Sequence, residues 1–258
     1  MKHFAEAVQL AERLADAARP VVMRSFRMPA MAVDVKADHS PVTAADREAE
    51  AVMRRMIEEA FPDHGVVGEE HGAVRREAEF VWVVDPIDGT KSFVTGKPLF
   101  GTLIALLHEG RPVIGVIDMP ALGERWLGAK GRPTRFNGRE VRCRGCMALH
   151  SAWLYATSPE MFHMRDLQAF QRLGERCRAT VYGADCYAYG LVANGTVDLV
   201  CEASMQPYDY CALAPVVAGA GGVITDWSGA PLTLASDGRV LAAGDPAAHA
   251  AAREVLAH

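Results

Sequence analysis

No apolar run in this sequence approaches the roughly 20 residues that a membrane-spanning helix needs. The opening stretch, Met1 to Gln9, carries Lys2, His3 and Glu6 and holds no apolar segment of signal-peptide length. No membrane partner is therefore expected, and the cytoplasm is the default location. Basic charge is not in excess either: 27 Lys and Arg stand against 32 Asp and Glu, a formal charge of −5. Such a balance offers no basic face to nucleic acid, and that class of partner is excluded. Cysteine is sparse, with six in 258 residues, too few for a disulfide framework. Cys143-Arg-Gly-Cys146 has the spacing of half a zinc site, but no second Cys or His pair follows it closely, so free thiols are expected. His39, His64 and His163 are isolated and read as surface residues rather than ligands. There is no internal repeat and no low-complexity linker, so whatever halves the chain has should pack as one unit.

What is present centres on Val81 to Phe93, Val-Trp-Val-Val-Asp-Pro-Ile-Asp-Gly-Thr-Lys-Ser-Phe. The β-branched and aromatic run from Phe80 predicts a buried strand ending at Asp85, followed at once by Asp88, Gly89 and Thr90. Two carboxylates separated by a proline of fixed φ can converge on one point, and they repel each other unless a cation neutralises them. Hard oxygen ligands with no His or Cys beside them suit Mg²⁺. A helix starting at Gly89 or Thr90 would aim free N–H groups at the same place, a site for an anion such as phosphate. Metal cations beside an anion site point to phosphoester chemistry, although Asp-Pro-x-Asp-Gly alone is also a common turn.

Elsewhere in the first half, apolar positions Leu10, Leu14, Ala17, Ala18, Val21 and Val22 predict an amphipathic helix over about 3–26, and Met31–Val35 reads as extended. Thr43 caps a second helix whose third residue is Asp46 and which runs to about Phe61. Val66-Val67-Gly68 is a short strand ending in Glu69-Glu70, which could lie beside Asp85 whichever way the two strands run. From Gly101, short strands with glycine turns predict an antiparallel meander, with Asn137-Gly138 as a further hairpin signal. After about residue 145 the pattern alternates: strands near 151–157, 178–182, 197–201 and 223–225, with helices near 159–174, 184–194, 209–218 and 247–256. Gly219-Ala-Gly221-Gly222 follows a helix and precedes a strand, the reverse of a dinucleotide fingerprint, and reads as a helix C-cap and turn.

Gly68-Glu69-Glu70, Asp85-Pro-Ile-Asp88-Gly-Thr90 and the distant Pro207-Tyr208-Asp209-Tyr210 together resemble the signatures of the inositol monophosphatase superfamily of Mg²⁺-dependent phosphatases. The resemblance spans nearly the whole chain. It implies an α+β fold, a layered α-β-α-β-α sandwich, with an N-terminal α+β half (1–145) carrying most metal ligands and a C-terminal α/β half (146–258) carrying Asp209 and the substrate side. It further implies that Glu69, Asp85, the Ile87 carbonyl, Asp88 and Asp209 are ligands for about two or three Mg²⁺ ions. Thr90 with Glu69 would position and activate the attacking water, Asp46 would stand behind that threonine, and Lys36 would approach a further metal. Phosphate would meet Asp88, Gly89 and Thr90, and the family implies a homodimer. Within the superfamily, Gly183-Ala-Asp185-Cys186-Tyr187-Ala-Tyr189 and the extended Asp-Pro-Ile-Asp-Gly-Thr-Lys-Ser-Phe motif look most like histidinol-phosphate phosphatases. Asp185 and Glu202 would then line the substrate pocket and meet an ammonium that a neutral polyol lacks. From the residues alone, Asp185 could equally cap a helix and Glu202 could close a strand. Inositol 1-phosphate and 3′-phosphoadenosine 5′-phosphate are the alternative substrates. The three-residue spacing of Asp85 and Asp88, with proline at 86, argues against the Asp-x-Asp nucleophile of aspartyl-phosphate phosphatases.

Overall fold

A computed structural model describes residues 2–28, 33–35 and 41–257. The long helix α1 (Lys2–Ser25) leads to a small antiparallel hairpin, β1 (Val33–Val35) with β2 (Pro41–Thr43). Helix α2 (Ala44–Ala60) follows directly, its start fixed by Thr43 and Asp46 in a capping box. Then come β3 (Gly65–Gly68), β4 (Gly72–Val74), β5 (Phe80–Asp88), the short helix α3 (Thr90–Val94), and the meander β6 (Gly101–His108), β7 (Arg111–Met119), β8 (Glu124–Ala129), β9 (Arg132–Phe136) and β10 (Arg139–Glu140). The second half contributes β11 (Trp153–Ala156), α4 (Met164–Arg176), β12 (Ala179–Tyr182), α5 (Tyr187–Ala193), β13 (Leu199–Glu202), α6 (Pro207–Tyr210), α7 (Leu213–Gly219), β14 (Val223–Thr225), β15 (Val240–Ala243) and α8 (Pro246–Leu256).

Strands β3–β10 form an eight-stranded sheet in the order β10-β9-β8-β7-β6-β5-β3-β4, and β11–β15 form a five-stranded sheet in the order β12-β11-β13-β15-β14. Helices α1 and α2 cover one face of the large sheet, α5–α7 lie against its other face, and α4 packs with α8 beyond the small sheet. This is the expected five-layer sandwich, α-β-α-β-α. Strand β5 shows why it holds together. Trp82 and Val84 pack with Leu10, Leu14, Met53 and Ile57 under α1 and α2, while Val81 and Val83 belong to a second core with Tyr189, Leu213, Val216 and Ala242. Alternation along one strand thus feeds two cores, and the second core runs through both sheets.

The middle helical layer comes very close to the large sheet. A Cβ on Gly115 would stand 2.0 Å from the Ala212 carbonyl oxygen, a backbone atom that cannot rotate away. Gly115→Val should therefore destabilise the fold by about 3 kcal/mol, the upper part of the usual overpacking range. Urea unfolding of the variant checks this, and a midpoint equal to the wild type's would mean that the layers can slide apart freely.

Several elements differ from their sequence reading. The helix expected over 209–218 is two, α6 and α7, because Pro215 has no N–H to offer the Cys211 carbonyl four residues back. The helix expected over 159–174 starts only at Met164, after a 3₁₀ turn over Pro159–Met161. Strand β15 carried no usable signal: four apolar residues are too few for periodicity to separate strand from helix. It enters antiparallel between β13 and β14, so the parallel pairing inferred from alternation holds for β12-β11-β13 alone. His64 is not a surface residue. It is half-buried, stacked on Phe61 and Phe80, and its Nδ1 accepts from Trp82 Nε1 at 3.1 Å. His163 is exposed, all six cysteines are free, and His39 and Lys36 lie outside the described residues.

Candidate active site

Strand β5 does not stop at Asp85. It continues through Asp88, with a register shift between Asp85, opposite Leu103, and Asp88, opposite Gly101. In a regular strand, residues three apart point to opposite faces. The extra residue of the bulge cancels that alternation and turns both carboxylates to the same side. Pro86 has no N–H for the ladder, its carbonyl accepts from Thr102 Oγ1 at 2.8 Å, and Ile87 N donates to Asp85 Oδ1 at 2.9 Å. Side chains thus take the place of ladder bonds at Pro86 and Ile87. Gly89 then takes φ +80°, and a Cβ there would stand 3.1 Å from Asp185 Cγ.

Asp209 arrives from the other half. It is the third residue of α6, which packs on β5 and β6, and its Oδ2 accepts the Gln206 backbone N–H at 2.7 Å. Asp46 is held in the same way at the start of α2, its Oδ2 accepting from Thr43 N at 2.8 Å and Thr43 Oγ1 at 2.6 Å. Each capping bond engages one oxygen and orients the second. As a result, carboxylate oxygens of Asp85, Asp88 and Asp209 lie within 4.8 Å of one another. Strand β3 runs parallel to β5 with Gly68 opposite Val84, so Glu69 emerges next to Asp85.

The electrostatics match this crowding. Burial pushes the Asp85 carboxyl well above the usual range, and the charges of Glu69, Asp88 and Asp209 push it further. Asp209 is raised well above that range by burial and then by Asp88, and Asp88 is raised to about 7 by burial and then by Asp185, against a hydrogen bond from Cys186. Asp46 is raised by burial more than its Thr43 bonds lower it. A cluster of hard oxygen donors whose charges oppose one another fits a divalent cation of the Mg²⁺ kind.

Beside Asp88 lie the expected substrate-side residues. Asp185 is not a helix cap. With φ +49° it turns its carboxylate toward Ser92, whose Oγ donates at 3.3 Å, and toward Lys97 and Lys91, whose charges oppose the rise that burial imposes. Lys97 itself donates from Nζ to the Gly183 carbonyl. Glu202 closes β13 and is buried. Its two oxygens accept from Thr157 N at 2.7 Å and Tyr189 Oη at 2.8 Å, and burial raises it to about 7.

The expected residues are thus mostly brought together. Asp85, Asp88 and Asp209 form the centre, Glu69 acts on it, and Asp185 and Glu202 flank Asp88. Thr90 Oγ1 donates to the Ile87 carbonyl at 3.0 Å, whereas Asp46 is engaged by Thr43 and senses Glu69. No hydrogen bond links Asp46 to Thr90 among the described residues.

A model of the inositol monophosphatase family matches residues 4–257. The chain belongs to that family. The inositol monophosphatase of Zymomonas mobilis superimposes with a TM-score of 0.91 at 45% identity, covering 99% of both chains. The bifunctional phosphatase IMPL2 of Arabidopsis thaliana is 48% identical over 94% of this chain and 72% of its own length. The histidinol-phosphatase of Mycobacterium tuberculosis is 38% identical over 86% of this chain and 88% of its own. As an inositol monophosphatase family protein, this chain is an enzyme that hydrolyses phosphate monoesters, and the family generally uses Mg²⁺. No helix among the described residues is long and apolar enough to cross a membrane.

Some residues around the acids escape sequence reading. Lys97 faces Asp185 and Thr157 N donates to Glu202, and neither carries a pattern of its own, whereas Ser92 and Tyr189, which also bind these acids, lie inside the quoted motifs. Glu50 did carry one: it is an acid on the buried face of α2, in line with Asp46, Ala49, Met53 and Ile57.

Proposed function

We propose that this enzyme hydrolyses L-histidinol phosphate to L-histidinol and phosphate. The observation that carries this reading is the placement of Asp185 and Glu202 beside Asp88. These acids extend the proposed metal centre toward the substrate side and suit the ammonium of an amino alcohol better than the hydroxyls of a polyol. Names among the relatives support it, since histidinol-phosphatases of three bacteria are 34–38% identical to this chain.

In this reading, Glu69, Asp85, the Ile87 carbonyl, Asp88 and Asp209 hold two or three Mg²⁺ ions, about the number of multi-metal phosphatases. Bound Mg²⁺ would supply Lewis acidity, lowering the pKa of water and neutralising phosphoryl and leaving-group charge. Thr90 and Glu69 orient and activate the attacking water, and Asp46 stands behind them through the Glu69 charge. Backbone N–H groups of Gly89 and Thr90, beside Asp88, meet the phosphate. Residues 1–145 contribute the bulged strand and 146–258 contribute Asp209, Asp185 and Glu202, so the two halves act as one site. A homodimer in the cytoplasm completes the reading.

Phosphate release from L-histidinol phosphate, inositol 1-phosphate and 3′-phosphoadenosine 5′-phosphate tests it. Histidinol phosphate should have the highest kcat/KM, by at least about tenfold, or 1.4 kcal/mol, and EDTA should abolish release from all three. A higher value for either rival would overturn the substrate assignment. Inositol 1-phosphate is the stronger rival, because the Zymomonas mobilis structure that matches so closely is called an inositol monophosphatase.

A further inference from the structure

Glu50 is wholly buried on α2, one helical turn beyond Asp46, where two like charges at i and i+4 oppose helix stability. Its Oε2 accepts the Glu70 backbone N–H at 2.7 Å, and its Oε1 accepts the His71 N–H at 3.1 Å and Arg54 Nε at 2.7 Å. Arg54 also donates from Nη2 to the Gly72 carbonyl, and the His71 ring meets the Arg47 carbonyl at 3.0 Å. Residues 47, 50 and 54, on one side of α2, thus grip the turn between β3 and β4. On the other flank of Glu69, a Cβ on Gly68 would stand 2.1 Å from Glu50 Oε1, so a side chain there would displace the carboxylate from the strand end. Both neighbours of Glu69 are seated on one carboxylate, while the Glu69 side chain acts on Asp85, Asp46 and Asp209.

We propose that Glu50 is a positioning residue for the metal centre: by binding two successive amides of the turn, it fixes where the Glu69 carboxylate is delivered. The inference rests on Glu69 being a ligand, as proposed above. Backbone amides in a tight turn need acceptors, and a carboxylate supplies two oxygens at once. Glutamine fills the same volume but must turn an NH₂ toward one donor, so Glu50→Gln breaks the grip without opening a cavity. The carboxylate lies one step from the proposed ligand, and loss of such partners commonly costs about 10–100-fold in metal affinity.

The experiment measures Mn²⁺ binding without substrate by electron paramagnetic resonance, the Mg²⁺ concentration for half-maximal activity, and hydrogen exchange at residues 69–72. Wild type, Glu50→Gln, Arg54→Met and Glu69→Gln are compared. Glu50→Gln should weaken Mn²⁺ binding and raise the half-saturating Mg²⁺ by about 10–100-fold, with faster exchange at Glu70 and His71 and kcat at saturating Mg²⁺ less affected. Arg54→Met should shift both in the same direction by less, and it carries the test should Glu50→Gln not fold. A lower melting temperature with unchanged metal dependence would overturn the proposal and leave Glu50 a scaffold residue. Unchanged Mn²⁺ binding in Glu69→Gln would instead remove the ligand reading on which it rests.

Discussion

Asp209→Asn should lower turnover by more than about 10²-fold, since even partners one step from a metal commonly cost 10–100-fold, while circular dichroism stays that of the wild type. The physical reason is that Asp209 joins the site from the far half of the chain and is one of three acids whose oxygens meet within 4.8 Å. Its capping bond from the Gln206 N–H survives substitution if the amide oxygen takes the place of Oδ2, so α6 can keep its start. The same change should leave the metal-free protein as stable as the wild type or more so, because it removes one charge from a repulsive cluster. Stability against pH follows with a definite sign. Asp88 ionises at about 7 in the metal-free fold but near 4 when unfolded, so the unfolded chain releases its proton first as pH rises. Its contribution is therefore complete below pH 4 and is lost on the way to pH 7, and Asp85 and Asp209, also raised, act in the same direction. Thermal melts in EDTA should show a wild type less stable at pH 8 than at pH 5, with Mg²⁺ restoring more stability at pH 8. In Asp209→Asn both the loss and the rescue should shrink. Wild-type turnover in this variant would remove Asp209 from the ligand set.

How much of this was legible depended on how local each feature is. The capping box at Thr43 and Asp46, the meander from Gly101 and the chain reversal at Gly219–Gly222 were readable because their signals lie within a few residues of their effects. The identity of the acids was readable too, since Asp85, Asp88 and Asp209 sit in motifs. The sequence suggests the proline as the cause of their convergence, however, and the structure gives it to a bulge whose register is set by Gly101 and Leu103 on another strand. A partner strand's register cannot be read from the strand itself. Glu50 is hard to read for a related reason: the backbone amides it holds lie 20 and 21 residues away, so sequence shows a buried-face acid without showing what it grips. Lys97 and Asp185 meet across a still longer interval, and spacing has nothing to say about such a pair.

That last pair bears on the proposed specificity, because the two acids proposed for the substrate side are not equivalent. Asp185 already faces Lys97, Lys91 and Ser92, so much of its charge is answered within the protein. Glu202 accepts only from neutral donors, Thr157 N and Tyr189 Oη, and the charge that acts on it most is the like-signed Asp185. An incoming ammonium therefore gains more from Glu202. Glu202→Gln should lower kcat/KM for L-histidinol phosphate by about 10–100-fold, matching the 1.5–3 kcal/mol of a hydrogen bond to a charged group. It should change inositol 1-phosphate by only a few-fold, and Asp185→Asn should discriminate less sharply. Because Glu202 ionises at about 7, KM for the cationic substrate should fall as pH rises through 7 and the carboxylate forms. Comparing the wild type with Glu202→Gln isolates that step from titration of the substrate's own imidazole, since only the wild type has the carboxyl to ionise. Equal losses on both substrates would mean that Glu202 serves the fold through Thr157 and Tyr189 and that the ammonium is recognised elsewhere.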